Sequence, residues 1–486
     1  MFQDAPPDPV VKLDAKRVAA KTASAAGAKV DPLSINHESQ LFIDDHLVES
    51  STSLHRRLNK PVKEAEPFLT PCQPWEGQGL FFGTVIPHEG KYRLYYRSGH
   101  NTKLPNSKFQ AERGYSKSPM GLALSDDARH FTREPVEDAA IPGTNVVMND
   151  LIDDFNIHRD DQETDPQKRF KLLCSRANWV NGLTPATSPD GIRWTFGEEN
   201  AVINLGDRCS YWYDPIRQVH VAWSRCYPVY PGRAIVQKET ADFDNWADPR
   251  KSHPALLMAP DRQDHPDTGI YGAYPFWYRS LYIAYVEVFY YHAQRIDTQL
   301  AYSRDGRNWT RLCDRDVFLS NGPHGSFDAY WAVPTFNPPI LQDGQLLIHY
   351  NGRSQPHTAP GFKAVAPGSG GAFCLSTLRE DGFVSLDATG NEGTLLSKPL
   401  ALPEARKGIA INVCPFATHP GYDPMKVQLN IFSEEMECLE SYLIEAPNTS
   451  KDVWRNIRFE TELPPVVRLQ FQMTNARLYS FRILAE

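Results

Sequence analysis

The chain is 486 residues long, beyond the usual single-domain size of roughly 50–250 residues, and carries a net charge of −8. That acidic balance, with no long basic run, excludes nucleic acid as the main partner, and no apolar stretch reaches the ~20 residues of a membrane-spanning helix. Aromatic residues at 11%, with 39 prolines and 30 glycines, favour many short strands joined by turns over long helices.

Residues 1–38 alternate Lys, Ala and Asp with little to bury, and read as a flexible leader or linker without the charged-then-apolar pattern of a secretory signal. Order is expected from Gln40-Leu-Phe-Ile-Asp44-Asp45-His46, an apolar strand ending in a polar turn. Paired strands then follow at intervals: 80–86 with 91–97, 150–158 with 169–176, 207–214 with 219–225, 269–277 with 281–287, and 326–331 with 345–353.

After each pair comes one seven-residue pattern. It reads Ser125-Asp-Asp127-Ala-Arg-His-Phe131, Ser188-Pro-Asp190-Gly-Ile-Arg-Trp194, Thr240-Ala-Asp242-Phe-Asp-Asn-Trp246, Ser303-Arg-Asp305-Gly-Arg-Asn-Trp309 and, degenerate, Arg379-Glu-Asp381-Gly-Phe-Val-Ser385. The central aspartates lie 63, 52, 63 and 76 residues apart, the spacing of a repeat whose unit is one supersecondary block. A hydroxyl and an Asp that bond turn N–H groups, followed by an aromatic that packs back on the sheet, are the chemistry of a hairpin. The expected fold is therefore all-β, a five-bladed β-propeller over residues 39–389. Residues 390–486 lack the pattern, hold short apolar strands such as 426–432 and 467–473, and read as a β-sandwich.

The eight cysteines are scattered without the paired spacing of a zinc site, and several lie in apolar strands, which favours buried thiols over a disulfide framework. His46, His100, His158, His265, His292 and His324 form no close ligand pair, so no cofactor and no catalytic metal is expected. A structural calcium at the axis is left open.

Leu41-Phe-Ile-Asp-Asp-His-Leu-Val48, Lys91-Tyr-Arg-Leu-Tyr-Tyr-Arg97, Asp165-Pro-Gln-Lys-Arg-Phe-Lys171, the Asp turns and Arg477-Leu-Tyr-Ser-Phe481 together resemble a group of bacterial glycosidase-like proteins of the invertase and arabinanase superfamily, common in planctomycete-like polysaccharide degraders. The resemblance spans residues 40–486 and carries no single defined activity. It implies a five-bladed propeller with an axial funnel, a following β-sandwich, a carbohydrate substrate and a secreted or periplasmic location.

Glycosidic hydrolysis needs one protonated carboxyl and one carboxylate facing one hole. The candidates on different blades are Glu76, Asp154 (or its neighbour Asp153, since only one can face the axis), Asp207, Glu287 and Asp328. Glu287 stands out because the second strands of the other blades end in Arg97, Arg176, Arg225 and Arg353; it is either a desolvated general acid or the partner of one of those arginines. Asp207 and Asp328 are either catalytic or caps of their strands. In the resembled families the acids begin with an Asp on the first innermost strand. Here that strand has none, and Glu76 just before it would have to substitute.

Arg97, Arg225 and Arg353 fall at like positions and either bind an anionic glycan, uronate-bearing or sulfated, or lock the blades together. His158, Tyr274 and Trp331 are further candidates for sugar contact, against a packing role between blades. The expected activity is removal of a terminal sugar from a poly- or oligosaccharide. A sialidase-like hydrolase and a non-catalytic glycan-binding propeller are the alternatives.

Overall fold

A computed structural model describes residues 10–13, 15, 31–77, 79–99, 118–150, 152–176, 182–198, 201–203, 206–225, 232–248, 251–357, 370–419, 421–450 and 453–486. These are almost entirely strand and turn, with three short 3-10 turns and no extended helix. The chain forms two compact units, Lys60–Leu378 and the pair of segments Met1–Asn59 and Arg379–Glu486. The contacts thus divide the chain at 59/60 and 378/379, where the sequence alone suggested 38/39 and 389/390.

In the unit Lys60–Leu378 the first three strand pairs expected from sequence become antiparallel sheets of four, whereas the strand expected over 326–331 is turn up to Tyr330 and forms instead at Trp331–Pro334. The first is Gly79–His88, Lys91–Gly99, Met120–Ser125 and Val146–Met148; the second is Ile152–Arg159, Phe170–Arg176, Leu183–Ser188 and Thr195–Phe196; the third is Asp207–Asp214, Val219–Arg225, Ile235–Thr240 and Ala255–Met258. A nine-stranded sheet completes the unit. In it Thr268–Tyr278, Leu281–Tyr290, Arg295–Ser303 and Thr310–Arg311 are joined, by one parallel bridge from Ile296 to Trp331, to Trp331–Pro334, Gln345–Arg353, Ala372–Arg379 and Val62–Lys63. The last pairing brings residues 62–63 from before the first sheet against residues 376–377 at the end of the unit.

Four of the Asp turns join third and fourth strands as expected. In each, the carboxylate accepts from backbone N–H groups in its own turn, as Asp190 does from Ile192 and Arg193 at 2.8 and 2.9 Å. The fifth departs. Asp381 has φ +57°, is buried, accepts from the Ser480 hydroxyl at 2.6 Å, and leads into Val384–Ala388, which pairs in the other unit with Ala476–Leu484 and His55–Leu58.

The lead strands of these sheets are buried on both faces, which is why they read as nearly continuous apolar runs. Side chains tie them together. Asn156 donates to Thr84 Oγ1 (2.8 Å) and to the Phe336 carbonyl (2.7 Å) and accepts from Tyr211 N–H (2.7 Å), while Asn337 accepts from Val85 N–H (2.9 Å). Buried amides satisfied this fully fix register as well as position.

Four lead strands share one irregularity near their starts. Register shifts fall between Phe81 and Gly83, Ile152 and Asp154, Asp207 and Cys209, and Ile270 and Gly272. Each bulge inserts one residue, namely Phe82, Asp153, Arg208 and Tyr271. Phe82 and Arg208 have φ of +36° and +33°, a conformation that bulky side chains adopt only where the surroundings impose it.

The second unit holds two sheets sharing one core of residues such as Phe42, Leu395, Ile411, Leu429, Phe471 and Phe481. Within the stretch expected to be a leader, Val10–Leu13 pairs with the strand Cys438–Ala446 and Leu33–Ser34 with Leu400–Ala401. Among the described residues seven cysteines are free thiols, three of them buried. Cys226 lies outside the described residues.

Candidate active site

The bulges stack side chains in three layers along the lead strands. The middle layer is a buried ion triad. Arg208 donates through Nε to Glu287 Oε2 (2.8 Å) and through Nη1 to both oxygens of Asp154 (3.0 and 3.2 Å), with a further bond from Nη2 to Glu287 Oε1. Cys209 N–H also bonds Asp154, at 2.6 Å. The guanidinium lies 4.2 Å from the ring centre of Phe82 and 3.7 Å from that of Phe336. One side chain thereby touches residues from the first and second sheets, from Leu281–Tyr290, and from the segment after Trp331–Pro334. Burial alone would pull the Arg208 guanidinium down, but Asp154 and Glu287 reverse it, so it keeps its charge. Gly272 makes room for this arrangement: a Cβ there would sit 2.3 Å from Glu287 Oε2.

Glu287 is thus held on both oxygens and shut away from solvent, and its partner is Arg208 rather than one of the strand-end arginines. Asp154 is occupied in the same way. Glu76 is also buried and structural. It accepts from Tyr96 Oη (2.6 Å), Arg133 Nε (2.5 Å) and the backbone N–H groups of Cys72 and Gln73 (2.8 and 3.0 Å). Asp328 pairs with Lys63 Nζ at 2.6 Å and accepts from Ser326 and Tyr350, fastening Val62–Lys63 to the segment before Trp331. Of these four acids Asp154 and Glu287 meet at Arg208, whereas Glu76 and Asp328 bond to other partners.

On the side of the triad where the lead strands begin lies a polar and aromatic cluster, termed the mouth below. Asp207 receives a bidentate fork from Arg225, through Nε at 2.7 Å and through Nη2. The Arg225 guanidinium covers the Tyr271 ring at 4.1 Å. Tyr271 Oη and His357 Nε2 are 3.0 Å apart, and Trp331 stacks on His357 at 5.7 Å. Asp153, with its side chain 37% exposed, lies 3.5 Å from Arg97. Arg97 and Arg353 lean on Phe81 at 5.7 and 5.8 Å, Arg353 also on Trp331 at 5.0 Å, and Arg233 on Phe289 at 4.4 Å and Tyr291 at 5.0 Å. Burial pushes the Tyr271 hydroxyl up, and the carboxylates of Asp207 and Asp153 add to it against the pull of Arg225, so the phenol keeps its proton.

Five sequence candidates therefore meet here: Asp207, Arg97, Arg225, Arg353 and Trp331. Asp153, named from the sequence only as the alternative to Asp154, joins them, as do Tyr271, Arg233, His357 and Phe81, which had not been singled out. Arg176, last of the strand-end arginines, lies in a described strand, Phe170–Arg176. His158 and Tyr274 lie elsewhere, beyond the triad toward the far ends of the lead strands. They line a cavity of about 390 Å³ with His88, Glu89, Arg159 and Asp161. Burial lowers the His158 pKa to about 4, and Tyr274 stacks on Phe336 at 5.4 Å. Among the described residues no cluster of His, Cys, Asp and Glu has the geometry of a metal site.

No protein-family model matches the chain, and no curated protein is similar to it in sequence. Solved structures similar to it include an N-acetylgalactosamine deacetylase from F. plautii in complex with blood group B trisaccharide. That likeness has 12% identity over 68% of this chain and 97% of that one, with a TM-score of 0.44. A family 43 arabinoxylan arabinofuranohydrolase from Bacillus subtilis in complex with cellotetraose is similar at 10% identity, over 88% and 99% of the two chains, with a TM-score of 0.39. An α-L-arabinofuranosidase from Podospora anserina in complex with cellotriose is similar at 11% identity, over 66% and 99%, with a TM-score of 0.42. Likenesses this distant leave the chemistry to be read from the site itself.

Proposed function

We propose that the unit Lys60–Leu378 is a five-bladed β-propeller, that the other unit is a β-sandwich, and that the chain is an exported glycoside hydrolase removing a terminal sugar at the mouth around Tyr271. What supports this reading is the convergence of Asp153, Asp207, Tyr271 and Trp331 where bulged lead strands meet, since bulges beside a cleft re-aim side chains toward a ligand. Asp153 is the more exposed of the two mouth carboxylates and activates water or attacks the anomeric carbon. Tyr271 stays protonated beside His357 and supplies the proton to the leaving oxygen as the C–O bond breaks. The Arg225 fork keeps Asp207 in place beside Tyr271, and the part-exposed Phe81 forms an apolar wall for a sugar face.

The test is a panel of defined oligosaccharides, neutral and anionic. Asp153→Asn should lower kcat by roughly 100-fold or more with KM changed by no more than about threefold, the split expected on losing a group that acts on the transition state. A wild-type protein that binds a member of the panel and turns over none is a glycan-binding propeller instead. The presence of a tyrosine amid arginines favours, as a second reading, a sialidase-like hydrolase. In that case Tyr271→Phe abolishes turnover while Asp153→Asn leaves a tenth or more of it.

A further inference from the structure

Taking the mouth as a sugar site, as above, we propose that its substrate carries an acidic group, a uronate carboxylate or a sulfate ester, bound by the guanidinium groups of Arg97, Arg233 and Arg353. Four guanidinium groups meet at this mouth, those of Arg97, Arg225, Arg233 and Arg353, against the carboxylates of Asp153 and Asp207. This local excess of positive charge stands in a chain whose net charge is −8. Asp207 is committed to Arg225 through both oxygens, so its charge is spent there. Arg97 Nε and Arg233 Nε are shut off from solvent and meet no hydrogen-bond acceptor among the described residues.

The guanidinium groups stand on a shared floor of Phe81, Tyr271, Phe289, Tyr291 and Trp331, which offsets part of their desolvation. An Nε–H group shut off from solvent without an acceptor is costly, and an oxyanion bound in a fork removes that cost. The titration of neighbouring groups agrees. Burial and the charge of Arg97 lower Arg353 to about 10, and burial with Arg233, Arg225 and Arg353 lowers His357 to about 3. The compensating negative charge is therefore expected on the ligand.

Isothermal titration of the full chain with matched ligand pairs tests this: a uronate-terminated disaccharide against its methyl ester, and a sulfated monosaccharide against its unsulfated form. The acidic member of at least one pair should bind tenfold or more tightly than its neutral partner. That preference should fall at least tenfold in Arg97→Gln and in Arg233→Gln, with the melting temperature unchanged. Which pair shows the preference distinguishes carboxylate from sulfate. Equal binding within both pairs overturns the proposal, and so does a preference that survives both substitutions. Acidic preference without turnover of any sugar would retain the anion site and refute the hydrolase; turnover of neutral sugars without preference would do the reverse.

Discussion

Arg208 shows how much one residue can organise. It occupies a left-handed backbone conformation, is fully buried, and satisfies two acids at once. Removing one member of such a network leaves uncompensated charge inside, whereas removing the charges together is far milder. Arg208→Met should therefore cost on the order of 3–5 kcal/mol in urea unfolding, and adding Asp154→Asn and Glu287→Gln should recover part of that loss. A single-variant loss no larger than that of a typical surface change would show that the triad does not hold the lead strands together. Gly272→Ala should act in the same direction, because its Cβ would push on both Glu287 and Arg208. Sequence comparison between strand ends did isolate Glu287 as unusual, but not why. Its partner Arg208 sits one position past Asp207 in an unremarkable polar strand start, and nothing in the residue order announces the positive φ that turns it inward.

At the level of elements, the Asp turns and the strand pairs were readable because their chemistry is local. A hydroxyl, an Asp and an aromatic at fixed offsets specify a turn wherever they occur. Asp190→Ala removes the acceptor for two backbone N–H groups and should cost about 1 kcal/mol, measured as a lower urea midpoint with the fold retained; no change would mean the turn is held by its strands alone. The bulges were not readable, and they are why the carboxylate assignments shifted. Strict alternation allows only one of Asp153 and Asp154 to face inward. The register shift after Ile152 breaks that alternation, sending Asp154 to Arg208 and Asp153 to the mouth near Arg97. The fifth Asp turn misled for a related reason: its sequence fits a hairpin, but its neighbours Ser480 and the strand Ala476–Leu484 are distant in the chain.

For the molecule as a whole, burial of ionisable groups sets the response to pH. Burial holds His158, His220 and His349 down to about 4, and with the nearby arginines holds His357 to about 3. A base whose folded pKa is depressed is neutral in the native state while the unfolded chain takes up a proton, so each of these costs stability as pH falls below about 6.5 toward 4. Asp297 works in the opposite sense. Its carboxyl is raised to about 6 by burial, against the pull of Arg295, so its ionisation costs stability as pH rises from about 4 to 6. Burial raises Asp154 to about 6 as well, so four histidines stand against two aspartates, and the urea midpoint should decline between pH 6.5 and 4. A flat or rising profile would mean that these histidines are not buried neutral.

Under the proposed function, sugar is handled at the mouth formed by Asp153, Asp207, Tyr271 and the arginines, and not at the cavity of His158 and Tyr274. A crystal structure of the Asp153→Asn variant soaked with an acidic oligosaccharide tests it most directly. A sugar ring is expected against Phe81, with its acidic group within hydrogen-bond distance of Arg97 or Arg233. A sugar seated instead between His158, Arg159 and Tyr274, with the mouth empty, would contradict it.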